Sequence, residues 1–152
     1  MKWVAADVEI YVKEKDYIDT ALIPLIPIAI GEGGAKAAAS GGEFVQLVVH
    51  EAERQLKGRV FLFPPFAYFT NEQREELLER LGHWTRQLME HGMKHVFYVT
   101  CDRTWKEYEK QLSGRLWMVP LVPLQDMDES YKYEIVREQT SQLLNFFISQ
   151  WS

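Results

Sequence analysis

Between Asp19 and Gly31 the chain reads TALIPLIPIAI, eleven residues without a charge. A strand wetted on one face alternates apolar with polar residues, whereas one covered on both faces stays apolar throughout. Ala21–Ile30 is too short to span a bilayer as a helix, since about 20 residues are needed. The run therefore predicts a strand of a sheet packed on both faces. Pro24 and Pro27 have no backbone donor, which predicts a bulge or a partial edge position.

The rest of the chain repeats this pattern. RVFLF, ended by Pro64-Pro65, HVFYVT (95–100) and RLWMVPLV (115–122) read as three further buried strands. Amphipathic segments separate them. Val4, Val8, Tyr11 and Val12 predict a short N-terminal helix. Three S/T-x-x-E/Q capping boxes, Ser40/Glu43, Thr70/Gln73 and Thr104/Glu107, predict three helix starts. Leu77, Leu78, Leu81, Trp84 and Leu88 keep the helical period until Gly92. A last helix from about Asp128 carries the stripe Thr140, Leu143, Leu144, Phe147, Ile148 and Trp151, with Phe146 off the stripe and free to meet another chain.

Strands alternating with helices define an α/β class. The expected architecture is three-layer α/β/α, with a mainly parallel four-stranded sheet and helices on both faces. A 152-residue chain, 47% hydrophobic, suits a single domain over 1–152 with a core that needs no disulfide. A net charge of -5 without a basic run argues against a nucleic-acid partner. One cysteine excludes an internal disulfide or a CxxC site. Without a signal peptide or a long apolar run, the expectation is a cytoplasmic protein with no membrane insertion.

In a parallel sheet, ligands bind at the carboxyl ends of the strands. After the first strand comes IAIGEGGAKAAASGGEF (28–44), with five glycines, Glu32 and Lys36. It departs from a dinucleotide loop because Lys36 stands where the third glycine of G-x-G-x-x-G belongs, and it lacks the P-loop G-K-[ST]. The loop is expected to meander to the Ser40 cap and to present Glu32, Gly33 and Lys36 as binding residues. Phe66 and Tyr68 of FPPFAYF follow the second strand, and Asp126 follows the fourth. These are expected to share one recognition surface with the glycine loop. Cys101, Asp102 and Arg103 follow the third strand. Arg103 beside Cys101 lowers a thiol pKa in principle, so these three are the catalytic candidates. Asp102 also reads as a turn residue ahead of the Thr104 cap. His50-Glu51 lacks the second histidine of H-E-x-x-H, and Gly92 separates His91 from His95, so no metal and no cofactor is expected.

The segments MKW, YIDTALIPLIPI, GEFVQL, LKGRVFLFPPFAY and GMKHVFYVT resemble the YpiF-like family of bacilli, a resemblance that covers almost the whole chain and implies no activity. Over roughly 20–105, IPLIPIAIGEGG, LFPPFAYF and HGMKHVFYVTCDRTW stand in the order of motifs seen in creatininase-like amidohydrolases. That likeness implies an α/β layered fold with its site at the strand ends. Glu32 matches a glutamate of the first motif, but Gly34 replaces its histidine, and Cys101-Asp102-Arg103 replaces a histidine-glycine-glycine motif. The resemblance thus implies a fold kept and a metal site lost. The functional expectation is a non-catalytic module for an unknown protein partner or small ligand, with homo-oligomers possible. The alternative is a small hydrolase or transferase using Cys101.

Overall fold

The computed structural model describes residues 1–31 and 33–152. Helices α1 (Ala5–Lys13), α2 (Ala35–Gln55), α3 (Arg74–Glu90) and α4 (Glu129–Trp151) alternate with strands β1 (Thr20–Ile28), β2 (Val60–Leu62), β3 (Phe66–Phe69), β4 (His95–Thr100) and β5 (Arg115–Met118). Short 3-10 segments cover Arg103–Gln111 and Leu124–Asp126. All the strand pairings are parallel, in the order β2-β1-β4-β5, with β3 also on β1.

β2 and β3 are one strand position split by Pro64-Pro65. Along β2 the partner number exceeds the β1 number by 40 (Leu22↔Leu62), and along β3 by 41 (Leu25↔Phe66). One extra residue has entered, which is a β-bulge. The expected four strand positions are therefore present, and FAYF, expected in the loop after the second strand, forms β3 instead. Its alternating burial matches a strand with one covered face.

The bulge also explains how the central strand tolerates two prolines. Successive strand residues direct their N–H and C=O groups to opposite sides. Leu22 O accepts from Phe63 N and Ile28 O from Thr70 N, whereas Asp19 O accepts from His95 N. Even-numbered residues of β1 thus face β2 and β3, and odd-numbered ones face β4. Pro24 points at the bulge, and Pro27 lies beyond the last β1–β4 pair, Pro24↔Val99. Each missing donor falls where the ladder offers no partner. The bulge expected in β1 lies in its neighbour.

Two apolar layers cover the sheet. On one face Phe44, Val45, Val48 and Val49 of α2 meet Val136, Leu143 and Phe147 of α4 over Leu22, Phe97 and Val99. On the other, Leu77 and Leu81 of α3 pack with Phe66, Tyr68, Tyr98 and Trp105, and Val8 and Tyr11 of α1 lie at the margin. The α4 stripe agrees with expectation at Thr140, Leu143 and Phe147, but Ile148 is 57% exposed. Phe146 is not free: it is half-buried, with its ring 4.9 Å from Trp117 and 5.6 Å from Phe97.

Candidate functional site at the carboxyl ends of the strands

After β1 the chain leaves on the α2 face, and after β4 it leaves on the opposite face through Arg103–Gln111. The gap between β1 and β4 is therefore the switch point of the sheet, where crevices of doubly wound folds open. Gly31, Gly33 and Gly34 approach it from one side, and Cys101, Asp102 and Arg103 from the other. Glu32 lies outside the described residues.

The glycine segment does not meander to Ser40. α2 already begins at Ala35 with Gly34 as its N-cap, and Gly34 N and Ala35 N both donate to Gly31 O. Alanine, the strongest helix former, carries the helix through AKAAA, so no side-chain cap is needed. Four of the five glycines fall into two pairs with different surroundings. A Cβ on Gly31 or Gly33 would meet nothing within 4 Å. A Cβ on Gly41 would overlap Cys101 Sγ and stand 2.9 Å from Leu121, and one on Gly42 would lie 3.0 Å from Ile26. The second pair lets α2 lie close on the strand ends.

Ser40, expected as a cap, sits inside α2 and ties down a distant strap. Its Oγ donates to Val122 O at 2.6 Å and accepts from Leu124 N at 3.3 Å. Between α2 and this strap lies a cavity of about 380 Å³, bordered by Gly33, Lys36, Ala37, Leu121, Pro123 and Gln125. Gly33 and Lys36 thus stand at one opening. Asp126 is exposed one residue beyond this lining. Phe66 and Tyr68 are each 1% exposed and belong to the core of the opposite face, which leaves them no surface for a ligand.

Cys101, Asp102 and Arg103 stand in three different surroundings. Cys101 is 8% exposed, and burial, then the Asp102 charge, push its thiol up to about 11. Arg103 is exposed, and the charge bearing on the sulfur is that of Asp102. Asp102 is itself the helix cap that the sequence suggested for Thr104: its Oδ1 accepts from Thr104 N at 3.1 Å and from Thr104 Oγ1 at 2.8 Å. Its Oδ2 accepts from Tyr68 Oη at 2.5 Å, and Tyr68 Oη accepts from Trp105 Nε1 at 2.7 Å. Burial, then Asp102, raise the Tyr68 pKa, so the phenol stays protonated and donates. The guanidinium of Arg74 binds Thr104 Oγ1 at 2.7 Å and lies 5.1 Å from the Trp105 and Tyr108 ring centres. This network, which pins the segment after β4 to β3 and α3, escaped the sequence reading. Its one legible sign was Asp102-x-Thr104, the spacing of an Asx turn.

Among the described residues, no three His, Cys, Asp or Glu side chains converge, and no helix is long and apolar enough to cross a membrane.

A doubly wound α/β domain with a crevice between the first turns of α2 and a strap pinned beside them is the class that fold and site define. The chain belongs to the family described as "Protein of unknown function (DUF2487)", whose model matches residues 9–151. It is 38% identical to "Uncharacterized protein YpiF" of Bacillus subtilis (strain 168) over 152 residues, covering all of this chain and 99% of that protein. No solved structure matches.

Proposed function

We propose that this chain is a non-catalytic binding domain of the cytoplasm, which takes a small ligand or a short partner segment in the crevice between the start of α2 and the strap 119–125. The carrying observation is the cavity of about 380 Å³ between the first turns of α2 and the strap that follows β5. Leu121 and Pro123 supply an apolar wall, Lys36 a cation and Gln125 an amide, which is the mixture of apolar lining and few polar groups that ligand pockets use. The neighbouring groups that would do chemistry are engaged elsewhere. Asp102 holds Tyr68 and Thr104, and Cys101 faces the close approach of α2. The order of the creatininase-like motifs, with their histidines replaced at Gly34 and at Cys101-Asp102-Arg103, fits a fold that has lost that family's metal site.

The test is a fragment screen read by amide chemical shifts. Binders are expected to move Gly33, Lys36, Ala37, Leu121 and Gln125 and to lose affinity in Leu121→Ser. Hits that map to other surfaces, or none in this crevice from a diverse set, would sink the proposal. Covalent turnover of an ester panel, abolished in Cys101→Ala, would replace it with the hydrolase reading.

A further inference from the structure

A second concave surface lies away from this crevice, between the second half of α2 and the first half of α4. It encloses about 650 Å³. Lys2, Arg54, Lys57, Lys132 and Arg137 line it, against the carboxylates Glu51, Glu53 and Glu129. That is an excess of two positive charges on a chain whose net charge is -5, so the groove is a positive island on a negative molecule.

The three carboxylates do not cancel it. Glu51 is held by Arg54 at 2.5 and 2.9 Å and by Gln55 at 3.0 Å. Glu53 is buried at 2% exposure and taken by the α-amino group of Met1 at 2.8 Å, with Lys2 at 3.7 Å. Glu129 lies 3.8 Å from Lys132. Lys57 and Arg137 have no salt-bridge partner among the described residues and stay exposed. The groove is also not purely polar: Leu47, Val136 and the exposed Tyr133 form its apolar part.

We infer that this groove docks an acidic segment of a partner protein carrying an aliphatic or aromatic anchor. The anchor occupies the space over Leu47, Val136 and Tyr133, and the flanking carboxylates meet Lys57 and Arg137. Charge complementarity of this kind selects the partner and steers its approach. The negative remainder of the molecule repels an extended nucleic acid. Concavity disfavours a lipid surface, which requires a convex or flat apolar face.

Selection from a random peptide display library tests this without presuming a sequence. The intact protein is the bait, and Lys57→Glu/Arg137→Glu is the counter-bait. Both sites are exposed, so the variant is expected to melt like the parent. Enriched peptides should be net acidic with at least one large apolar residue. Their affinity should fall by about tenfold or more in the double variant and weaken as salt rises. Bound peptide should shift the amides of Leu47 and Val136. Peptides with no acidic bias, or equal binding to both baits, would overturn the inference. So would acidic peptides whose shifts map to the crevice at Lys36 and Leu121. Self-association of the parent through this groove, lost in the double variant at equal concentration, would replace the partner with a second copy and also overturn it.

Discussion

The indole N–H of Trp151 donates to Thr20 Oγ1 at 2.9 Å, joining residues 131 positions apart. Thr20 opens the central strand, and Trp151 ends the last helix. The same indole lies 3.9 Å from the Arg59 guanidinium, which is itself paired with Asp19 at 3.0 Å. α4 is thus fastened at its far end as well as along Leu143 and Phe147, which are fully buried.

Trp151→Ala removes the hydrogen bond, the cation–π contact and part of the packing. It is expected to cost about 2–3 kcal/mol, read as a lower urea midpoint at unchanged slope. Truncation before Leu143 should give an insoluble or molten chain. A truncated chain that melts cooperatively near the parent temperature would show α4 to be dispensable.

Gly41→Ala and Gly33→Ala should behave oppositely. The first drives a methyl group into Cys101 Sγ and Leu121 and is expected to destabilise by about 1–3 kcal/mol. The second meets open space and should stay within about 0.5 kcal/mol. Adding Cys101→Ala should return part of the Gly41→Ala loss, a coupling that a double-mutant cycle measures. Equal effects at the two glycines would contradict the packing role of Gly41.

Asp102→Ala leaves the buried Tyr68 hydroxyl without its acceptor and the segment after β4 without its cap. The expected cost is about 2–4 kcal/mol. Tyr68→Phe/Asp102→Ala should be less than additive, since the phenol and the carboxylate then no longer need each other.

Burial, then the Asp102 charge, push the Cys101 thiol up to about 11 in the folded chain from an ordinary 9.0. A raised folded pKa favours the protonated form, so its stabilising effect is complete below pH 9 and is lost as pH rises toward 11. Denaturant midpoints taken between those values should fall, with this group contributing up to about 1.4 kcal/mol per pH unit. Cys101→Ala should flatten the fall. Maleimide should label the native thiol slowly at pH 7 and the unfolded thiol rapidly. Fast native labelling would show an accessible, activated sulfur.

The layers and strand positions were legible because burial on both faces leaves an unbroken apolar run, as in ALIPLIPIAI, and because helix stripes repeat at 3.6 residues. What misled was local chemistry with more than one use. Ser40 and Glu43 have capping-box spacing, yet the alanines before them already propagate the helix, and Ser40 serves a strap 82 residues away. Thr70/Gln73 fails likewise: Gln73 precedes α3 without a side-chain cap bond, while Glu72 accepts from Phe69 N at 2.7 Å. Asp102 is both the turn residue its position suggests and the cap of the following segment, and its second oxygen takes the Tyr68 hydroxyl, which no local pattern announces. The strand-end rule accounts for where Gly33 and Lys36 lie, on the lining of the crevice. Its other wall, Leu121 and Gln125, depends on a long-range tether that no local pattern carries. Phe66 and Tyr68 were misplaced because the bulge that returns the chain to the sheet rests on two prolines that read as a stop.

Those two prolines, and the two in β1, also bear on the chain before it folds. β1 leaves the ribosome well before β2 and β4 exist to cover it, and it is the most apolar segment of the sequence. Bare segments of this kind add to one another as intermolecular sheet. Pro24 and Pro27 divide the donors of β1 into the short stretches 20–23 and 25–26 and the single residue 28. Other copies therefore find no continuous ladder to extend. The native sheet tolerates the same gaps because its own neighbour is bulged at the first and β4 has ended before the second. The interruption that fits the folded neighbours also acts as a gatekeeper for the nascent chain.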